Sequence, residues 1–422
     1  MRSEGSVYIY SVVRTTSAHL LKQTDTKMDP LATLPDDLIF MEILVRLPVK
    51  CLARCKFVSP NWRARIEGAD FVSHHRKRSS ASRPSILVIP RKHGIEDEEE
   101  FSDDISFYRL GPGQAPDTFE DEAELMLQKA YPPEAEGITN VIYPMHCDGL
   151  VAIATGTDQV FLCNPATKEF VELPLGTPDV DIHRMRPPSA AIGFDQWKNQ
   201  YVVARYFYRR RCYKKPSGKL DYDIGHEVFT LGNNSCSWEA TADPPHAIGD
   251  TPPVCTRDAI YWGCDGMEDP RPSSLMRFSL RYRTFDLVPC PPRFAYNSGI
   301  EHLADLGGKL CHVNLATSKT AFDVWQLADD GTLWLPRCRI DSGDVSFGFG
   351  AFLPLLAAGG RMLTMVSDVD QRLYWCDERS GDVEKVMKLE DIDFEGWDDS
   401  NYCIHHVVPY RESLISIGNY MV

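Results

Sequence analysis

The stretch LPDDLIFMEILVRLPVKCLARCKFVSPNWR, residues 34–63, holds two leucine-proline steps and a dense set of apolar side chains. Pro35 suits the first position of a helix, the two aspartates after it place negative charge at the positive end of the helix dipole, and Pro48 ends the segment. Two faces of this helix are apolar: Leu34, Leu38, Met41 and Val45 form one, and Ile39, Ile43 and Leu47 form the other. A single neighbouring element cannot bury both faces.

Two further short helices are predicted after Pro48. Residues 49–55 carry apolar side chains at helical spacing, with lysine and arginine between them. Ser59 and Pro60 suit the N-cap and the first position of a third helix, which carries Trp62. Three helices this short fall below the size at which a core is stable alone. We therefore expect an added domain or the helices of another protein to cover the remaining leucines.

Together with FVSHHRKRS at residues 71–79, this stretch resembles the F-box of the large plant F-box class. The resemblance implies an F-box over residues 30–75 that docks on the Skp-type adaptor of a cullin-RING ubiquitin ligase, and through it on the cullin and RING subunits. The residues that match the adaptor-binding and packing positions of that family are Leu34, Pro35, Leu38, Ile43, Leu44, Leu47, Pro48, Leu52, Val58 and Trp62.

One pair of residues departs from the family's pattern. Pro60 and Asn61 stand where the family more often has a basic or polar pair. Since proline is tolerated at the start of a helix, we still expect adaptor binding. Leu52 and Val58 also have a second interpretation, as core residues of the helical unit alone.

The composition argues against several classes of protein. The 422 residues are 43% hydrophobic, which is ample for one small and one large folded unit. A net charge of −15 disfavours nucleic acid as a partner, and no apolar run approaches the roughly 20 residues of a membrane-spanning helix. The 13 cysteines are too scattered for a disulfide scaffold, so we expect free thiols in a reducing compartment, the nucleus or the cytoplasm.

Two regions flank the predicted F-box. Residues 1–29 are rich in serine and threonine, and we expect a disordered N-terminal extension in which Met28 is an alternative start to Met1. Residues 76–140 are expected to form a linker that holds the first strands and acidic loops such as 91–104. Solvated surface loops explain these charged runs, and an acidic partner-binding tail is the alternative.

From residue 141 the sequence changes to short runs of valine, isoleucine and aromatic residues separated by turn residues. Five such units recur at a spacing of roughly 40–55 residues, which is the spacing of propeller blades. Strands within 84–110 can pair with the final segment, residues 405–418, to complete a sixth blade and remove the open sheet edges. We therefore predict an α+β multidomain chain: a small three-helix domain, then a mainly antiparallel, propeller-like all-β domain of about six irregular blades over 141–422.

The β region also resembles the F-box-associated interaction domain of plant proteins. The residues that carry this second resemblance are Cys147-Asp148-Gly149-Leu150, Asn164-Pro165 with Thr167, Gly193-Phe194-Asp195, Leu306-Gly307-Gly308 and Val324-Trp325. The resemblance implies a module that recognises a target protein, and it does not name the target.

The sequence contains none of the common catalytic signatures. A glycine-rich phosphate loop and the CxxC, HExxH and GxSxG patterns are all missing. Cys51 and Cys55 share a helical face but would need two further ligands to bind a metal. Adjacent histidines, as at His405-His406, point to opposite faces of a strand. We therefore predict no metal, no cofactor and no enzymatic activity.

The most distinctive segment of the β region is ARYFYRRRCYKK, residues 204–215. Its arginines and tyrosines predict a target-binding loop formed by Arg209, Arg210, Arg211 and Tyr213, which would select an acidic or phosphorylated protein segment. A solvated basic loop after a propeller strand is the plain alternative. Stacking on nucleic acid is a third interpretation, which the acidic composition disfavours.

The two resemblances and the residue patterns together predict the substrate-recognition subunit of an SCF-type ubiquitin ligase. Its F-box would bind the adaptor and its β domain an unknown target protein, while the chemistry takes place on other subunits. Two alternatives remain open. One is a carbohydrate-binding or enzymatic propeller, and the other is an F-box protein that acts outside ubiquitination.

Overall fold

The structure of the chain is a computed structural model. It describes residues 36–92, 101–113, 118–120, 122–132, 137–139, 142–180, 190–215, 218–232, 237–249, 251–266, 268, 270, 272–292, 302–316, 321–341, 351–367, 371–392, 394 and 403–418. The chain forms two compact units, which divide between Ala81 and Ser82. The first unit is helical and the second consists of β-strands. No helix within these ranges is long and apolar enough to cross a membrane.

The helical unit contains four helices in its described part. α1 opens as an α-helical turn at Asp36–Leu38, continues as a π-helical segment at Ile39–Ile43 and closes as a 3-10 turn at Leu44–Arg46; α2 spans Val49–Cys55, α3 Pro60–Glu67 and α4 Ala69–Ala81. Ser59 is the N-cap of α3, as the sequence predicted, because its Oγ accepts the backbone N–H of Trp62 at 3.1 Å.

Phe40 of α1 lies at the centre of the helical core. Its ring makes edge-to-face contacts with Trp62 of α3 and Phe71 of α4, with centroids 5.4 and 6.1 Å apart. The prediction of three helices did not include α4, which buries Phe71 and His75 one turn apart. A ring nitrogen of His75 lies 3.1 Å from the carbonyl oxygen of Leu47, so α4 is tied to the end of α1.

The β unit contains 26 strands in its described part. They are β1 Ser85–Lys92, β2 Phe101–Ser102, β3 Asp104–Leu110, β4 Glu124–Ala130, β5 Ile138–Thr139, β6 Ile142–Cys147, β7 Leu150–Thr155, β8 Val160–Asn164, β9 Glu169–Glu172, β10 Ala190–Asp195, β11 Gln200–Lys214, β12 Lys219–Thr230, β13 Glu239–Ala240, β14 Val254–Thr256, β15 Ala259–Trp262, β16 Ser274–Ser279, β17 Phe285–Pro289, β18 His302–Asp305, β19 Leu310–Leu315, β20 Ala321–Leu327, β21 Trp334–Asp341, β22 Ala351–Ala358, β23 Arg361–Ser367, β24 Arg372–Asp377, β25 Val383–Lys388 and β26 Cys403–Tyr410.

Twenty-four of these strands form six four-stranded antiparallel blades, and β2 and β5 form a separate two-stranded sheet. Five blades use consecutive strands, from β6–β9 through β22–β25, and the first blade has the order β26-β1-β3-β4. The innermost strands β26, β6, β10, β14, β18 and β22 each contact the next, and β22 returns to contact β26. The ring is therefore closed, and the predicted propeller-like fold of about six blades is confirmed.

The last strand of the chain closes the ring by pairing with the first. β26 runs antiparallel to β1 over its whole length, from Ser85 opposite Tyr410 to Lys92 opposite Cys403. As a result, β1 lies between β26 and β3 in the interior of a sheet. Residues 86–89 of β1 are fully buried on both faces of the sheet, which explains why all four are apolar and do not alternate with polar residues.

The tail after β26 is fixed against the second blade. The buried Asn164 donates from Nδ2 to the carbonyl oxygens of Ser413 (3.1 Å) and Ile415 (2.7 Å). The carboxylate of Glu169 accepts the hydroxyl of Ser416 at 2.7 Å and the backbone N–H of the next residue at 3.1 Å. The Asn-Pro turn noted in the sequence therefore secures the end of the chain.

Gly149 of the neighbouring Cys-Asp-Gly-Leu turn also contacts this tail. Its φ is +88°, and a Cβ there would lie 2.6 Å from Ser413 Oγ and 2.8 Å from the carbonyl oxygen of Arg411. Any other residue would meet both backbone strain and a clash. Two of the turns that carry the second resemblance thus have the same structural task, to hold the C-terminal tail.

Apolar faces of neighbouring blades pack on each other around the ring. Between the third and fourth blades, for example, Tyr208 and Ile224 belong to one buried cluster with Trp262 and Phe278. Similar clusters join the first blade to the second and to the sixth, the fourth to the fifth, and the fifth to the sixth. Buried apolar clusters thus fill five of the six junctions between neighbouring blades.

The domain boundary differs from the predicted one. Residues 76–81 complete α4, so the helical unit extends beyond the predicted end of the F-box at residue 75. The first strands expected within 76–140 include β1, β3 and β4 of the first blade, and β1 pairs with β26, about three hundred residues later in the sequence, as expected for strands within 84–110.

Deletion of residues 403–422 is expected to abolish cooperative unfolding of the whole β unit. The deletion removes the innermost strand of the first blade and leaves the buried edge of β1 without a partner. Thermal unfolding followed by circular dichroism, together with limited proteolysis, measures the effect.

Deletion of residues 411–422 is the matched control, because it removes the tail but keeps β26. We expect a lower Tm with a cooperative transition retained. A protease-resistant β unit of unchanged Tm after the 403–422 deletion would contradict the closing role of β26.

Candidate functional site

The helical unit exposes large apolar side chains at its surface. Phe57 is 80% exposed, and Val58 and Leu38 are also exposed. Phe57 and Val58 occupy the turn between α2 and α3, where their backbone N–H groups bond to the carbonyl oxygens of Arg54 and Cys55, both at 3.1 Å. The backbone of this turn is therefore fixed while its apolar side chains face solvent, as expected for a surface that a partner covers.

The residues predicted to bind an adaptor separate into groups in the structure. Leu38, Pro48 and Val58 are exposed, Leu47 and Trp62 are half-buried, Ile43, Leu44 and Leu52 are buried, and Leu34 and Pro35 lie outside the described residues. The buried group packs inside the helical unit in the isolated chain, and its role at an adaptor surface stays a prediction. Leu52 follows its alternative interpretation, as a core residue, and Val58 does not.

Sequence reasoning missed Phe57, which is the most exposed of these side chains. Its exposure could have been predicted from its position in the sequence. Val49, Leu52 and Cys55 form the buried face of α2, and Phe57 comes two residues after the end of that helix, off its buried face. The guanidinium of Arg63 lies over the face of the Phe57 ring, 5.7 Å from its centroid.

The basic segment of the third blade is a strand extension and not a loop. β11 and β12 pair from Val202 opposite Thr230 to Lys214 opposite Lys219, with a register shift between Tyr208 and Arg210. The predicted loop is wrong because residues 219–224 supply a pairing partner for the basic residues. The outer part of this hairpin, residues 209–215 and 218–222, is called the basic hairpin below.

Carboxylates pair with the arginines of the basic hairpin. Arg209 contacts Asp223 at 2.9 Å and Asp243 at 3.1 Å. The hydrogen bond to Asp243 has the largest effect on the pKa of Arg209, and together with the bond to Asp223 it raises that pKa. Arg211 contacts Asp265 at 2.5 Å in a pair that is almost fully buried.

Two of the four predicted target-binding residues remain available at the surface. Arg210 is 57% exposed and lies 3.5 Å from Asp221, and Tyr213 is exposed near the tip of the basic hairpin. Arg211, by contrast, is held by Asp265 and serves the internal structure of the blade. The hairpin therefore presents a much smaller net positive charge than its sequence suggests.

A groove of about 430 Å³ lies between the fourth and fifth blades. It is lined by side chains that include Arg257, Tyr261, Arg277, Leu287, Lys309 and Leu327. Two of its carboxylates form close ion pairs: Asp286 lies 3.1 Å from Arg277, and Asp329 contacts Lys309 and lies 3.4 Å from Arg257.

The electrostatics of this groove do not favour acid-base catalysis. The hydrogen bond from Lys309 lowers the pKa of Asp329, and the backbone N–H of Thr332 lowers the pKa of Asp330. A general acid at neutral pH needs the opposite shift. No group of three or more histidine, cysteine, aspartate or glutamate side chains in the described ranges is arranged to hold a metal ion.

Comparison with known proteins finds two family matches and several relatives. The F-box domain family matches residues 31–74, and the F-box associated beta propeller domain family matches residues 115–338, more than half of the chain. An F-box protein of Arabidopsis thaliana is 28% identical over 69% of this chain and 82% of its own length. An F-box/LRR-repeat/kelch-repeat protein of the same plant is 26% identical over 89% of this chain and 95% of its own length.

A further relative from Arabidopsis thaliana is 28% identical over 73% of the chain. The chain spans 65% of the length of that relative. The F-box match lies within the helical unit, and the propeller-domain match lies within the β unit.

The ion pairs of the basic hairpin predict different effects for two adjacent arginines. Arg211→Glu places two negative charges together in a buried site and is expected to lower the free energy of unfolding by about 3–5 kcal/mol. Arg210→Glu changes a solvated side chain and is expected to cost at most about 1 kcal/mol. Urea unfolding followed by circular dichroism measures both.

Equal urea midpoints for the two variants would contradict the assignment of Arg211 to the internal structure. The different roles of Arg210 and Arg211 also affect the choice of variant for a binding experiment. A triple reversal of Arg209, Arg210 and Arg211 would combine a surface change with a folding defect, so Arg210→Glu alone is the appropriate probe of the basic hairpin.

Proposed function

Since the chain belongs to the F-box associated beta propeller domain family, we propose that it is the substrate-recognition subunit of an SCF-type cullin-RING ubiquitin ligase. The helical unit binds a Skp-type adaptor, and the propeller binds a target protein. The observation that carries the proposal is that one chain combines an F-box match, exposed apolar side chains on the helical unit and a closed propeller.

Burial of the exposed apolar surface supports adaptor binding. Phe57, Val58 and Leu38 lie in water in the isolated chain. Covering such side chains contributes about 1.5–3 kcal/mol each when burial is complete. A partner that supplies apolar helices gains this energy at a surface whose turn is already ordered, so little conformational entropy is lost.

The proposed contribution of this chain to ubiquitination is proximity, and the chain is not itself an enzyme. The adaptor would connect it to the cullin and RING subunits, and the propeller would hold the target near a charged ubiquitin-conjugating enzyme. The nucleus and the cytoplasm are the proposed locations, since both maintain the free thiols expected from the sequence.

Aspartate substitutions on the helical unit test the adaptor surface. Leu38→Asp, and Phe57→Asp combined with Val58→Asp, are expected to reduce co-purification of a Skp-type adaptor at least tenfold, because each buries a charge in the interface. The matched control is Leu335→Asp, since Leu335 of the propeller is 47% exposed and Leu38 is 46% exposed.

Loss of adaptor in all the variants, the control included, would point to general misfolding. Undiminished adaptor recovery with both helical-unit variants would overturn the assignment of this surface.

A cellular experiment separates ubiquitination from other roles of an F-box protein. Proteins captured by the tagged chain are compared with and without inhibition of cullin neddylation, and their ubiquitination is measured in cells that express wild type or Leu38→Asp. We expect neddylation-dependent ubiquitination of a captured protein with wild type only. Capture without any change in ubiquitination or abundance would favour an F-box protein that acts outside ubiquitination.

A further inference from the structure

Two exposed aromatic side chains flank an arginine on one rim of the propeller. Trp197 is 66% exposed and Tyr282 is 67% exposed. The guanidinium carbon of Arg281 lies 3.8 Å from the Trp197 ring centroid and 5.0 Å from the Tyr282 ring centroid. The three residues are called the aromatic clamp below. Trp197 comes from the third blade, whereas Arg281 and Tyr282 come from the fourth.

The aromatic clamp and the basic hairpin lie on opposite rims. Trp197 lies in the turn between β10 and β11, the first and second strands of its blade, and Tyr282 lies between β16 and β17, the third and fourth strands. In an up-and-down sheet these two kinds of turn share one edge. The basic hairpin joins the second and third strands, so its tip is at the other edge.

The backbone hydrogen bonds of both turns hold the clamp in place. The buried carboxylate of Asp195 accepts the backbone N–H groups of Trp197 at 3.0 Å and Lys198 at 3.2 Å. In the other turn, Ser279 Oγ accepts the backbone N–H of Tyr282 at 3.2 Å. The clamp is therefore preorganised, and a ligand need not pay for ordering a loop.

Close packing of the two blades brings the turns together. A Cβ at Gly193 of β10 would lie 2.7 Å from Cys255 Sγ and 2.7 Å from the side chain of Leu280, which precedes Arg281. A larger residue would push the blades apart at this point. The Gly-Phe-Asp segment noted in the sequence thus has two tasks here, since its glycine permits close approach and its aspartate fixes the turn that carries Trp197.

Arg281 differs from the arginines of the basic hairpin in its charge environment. In the described part of the chain, no carboxylate forms an ion pair with Arg281, whereas Arg209 and Arg211 each contact at least one aspartate. Contact with the faces of two rings orients a guanidinium and leaves its N–H donors for a ligand. The clamp therefore combines one oriented cation with two large apolar surfaces.

This combination matches a protein ligand with a carboxylate. Tryptophan, tyrosine and arginine are the residue types that dominate binding energy at protein interfaces. One guanidinium can bind one carboxylate with two parallel hydrogen bonds, whereas recognition of a phosphorylated segment draws on a cluster of arginines. Binding to a nucleic acid backbone draws on several lysine and arginine contacts to phosphates, whereas the clamp offers one guanidinium.

We propose that the aromatic clamp binds an acidic segment of the target protein, with an aspartate or glutamate of that segment on Arg281 and neighbouring apolar groups on Trp197 and Tyr282. The proposal rests on the proposed function, in which the propeller recognises the target. Hairpin β16–β17 also lines the groove with Leu287, so a segment that leaves the clamp along this hairpin meets a further apolar side chain.

The test uses a phage-displayed library of random peptides, selected on the purified full-length chain. We expect the selected peptides to be enriched in aspartate and glutamate relative to the library. A synthetic selected peptide is expected to bind Arg281→Gln or Trp197→Ala about tenfold more weakly than wild type, and Tyr282→Ala more weakly as well. Circular dichroism melting of each variant verifies that the propeller is folded.

Arg210→Glu is the control, because it changes an exposed arginine on the opposite rim. Several results would overturn the proposal: no enrichment of acidic residues, unchanged affinity in folded Arg281→Gln, or loss of binding in Arg210→Glu instead. Binding only of a phosphoserine version of the peptide, or displacement by a single-stranded oligonucleotide, would also overturn it. Adaptor co-purification is measured on the same preparations. If the clamp does not bind acidic peptides but the adaptor still co-purifies, the clamp proposal is wrong and the proposed function is not contradicted.

Discussion

The propeller depends on the pairing of its last strand with its first. A four-stranded blade cannot bury both of its faces alone, so the six blades are stable only as a ring in which each covers the next. β26 completes that ring beside β1, and Asn164 and Glu169 of the second blade hold the tail that follows it. The positions of all the rim turns, and hence of every candidate binding residue on them, rest on this closure.

Given a rigid ring, the electrostatic properties of each rim are set by which charges have partners. The basic hairpin has the densest run of arginines in the β region, yet aspartates from its own blade and the next neutralise them. Arg281 belongs to a shorter and less basic stretch of sequence, but no carboxylate in the described ranges pairs with it. Local density of basic residues is therefore a poor guide to the charge that a partner meets.

The helical unit faces a different constraint. It is too small to bury Leu38, Phe57 and Val58, because Phe40, Leu44 and Leu52 already occupy its core. Exposure of these apolar side chains to water is unfavourable in the isolated chain, and a partner that covers them would remove that unfavourable contact. In the proposed function the helical unit binds an adaptor, the propeller binds a target, and the chemistry takes place on other subunits.

The sequence by itself determined the order of the two units, the helix caps and the approximate number of blades, because proline positions, capping residues and the spacing of apolar runs are local properties. It also indicated that the first strands and the last segment of the β unit pair with each other. Only the tertiary structure decided which matched F-box residues are exposed, that the basic segment is a neutralised strand, and that Trp197 meets Arg281. The reason is physical: exposure and charge compensation are set by residues that lie far apart in the sequence and become neighbours only when the blades pack.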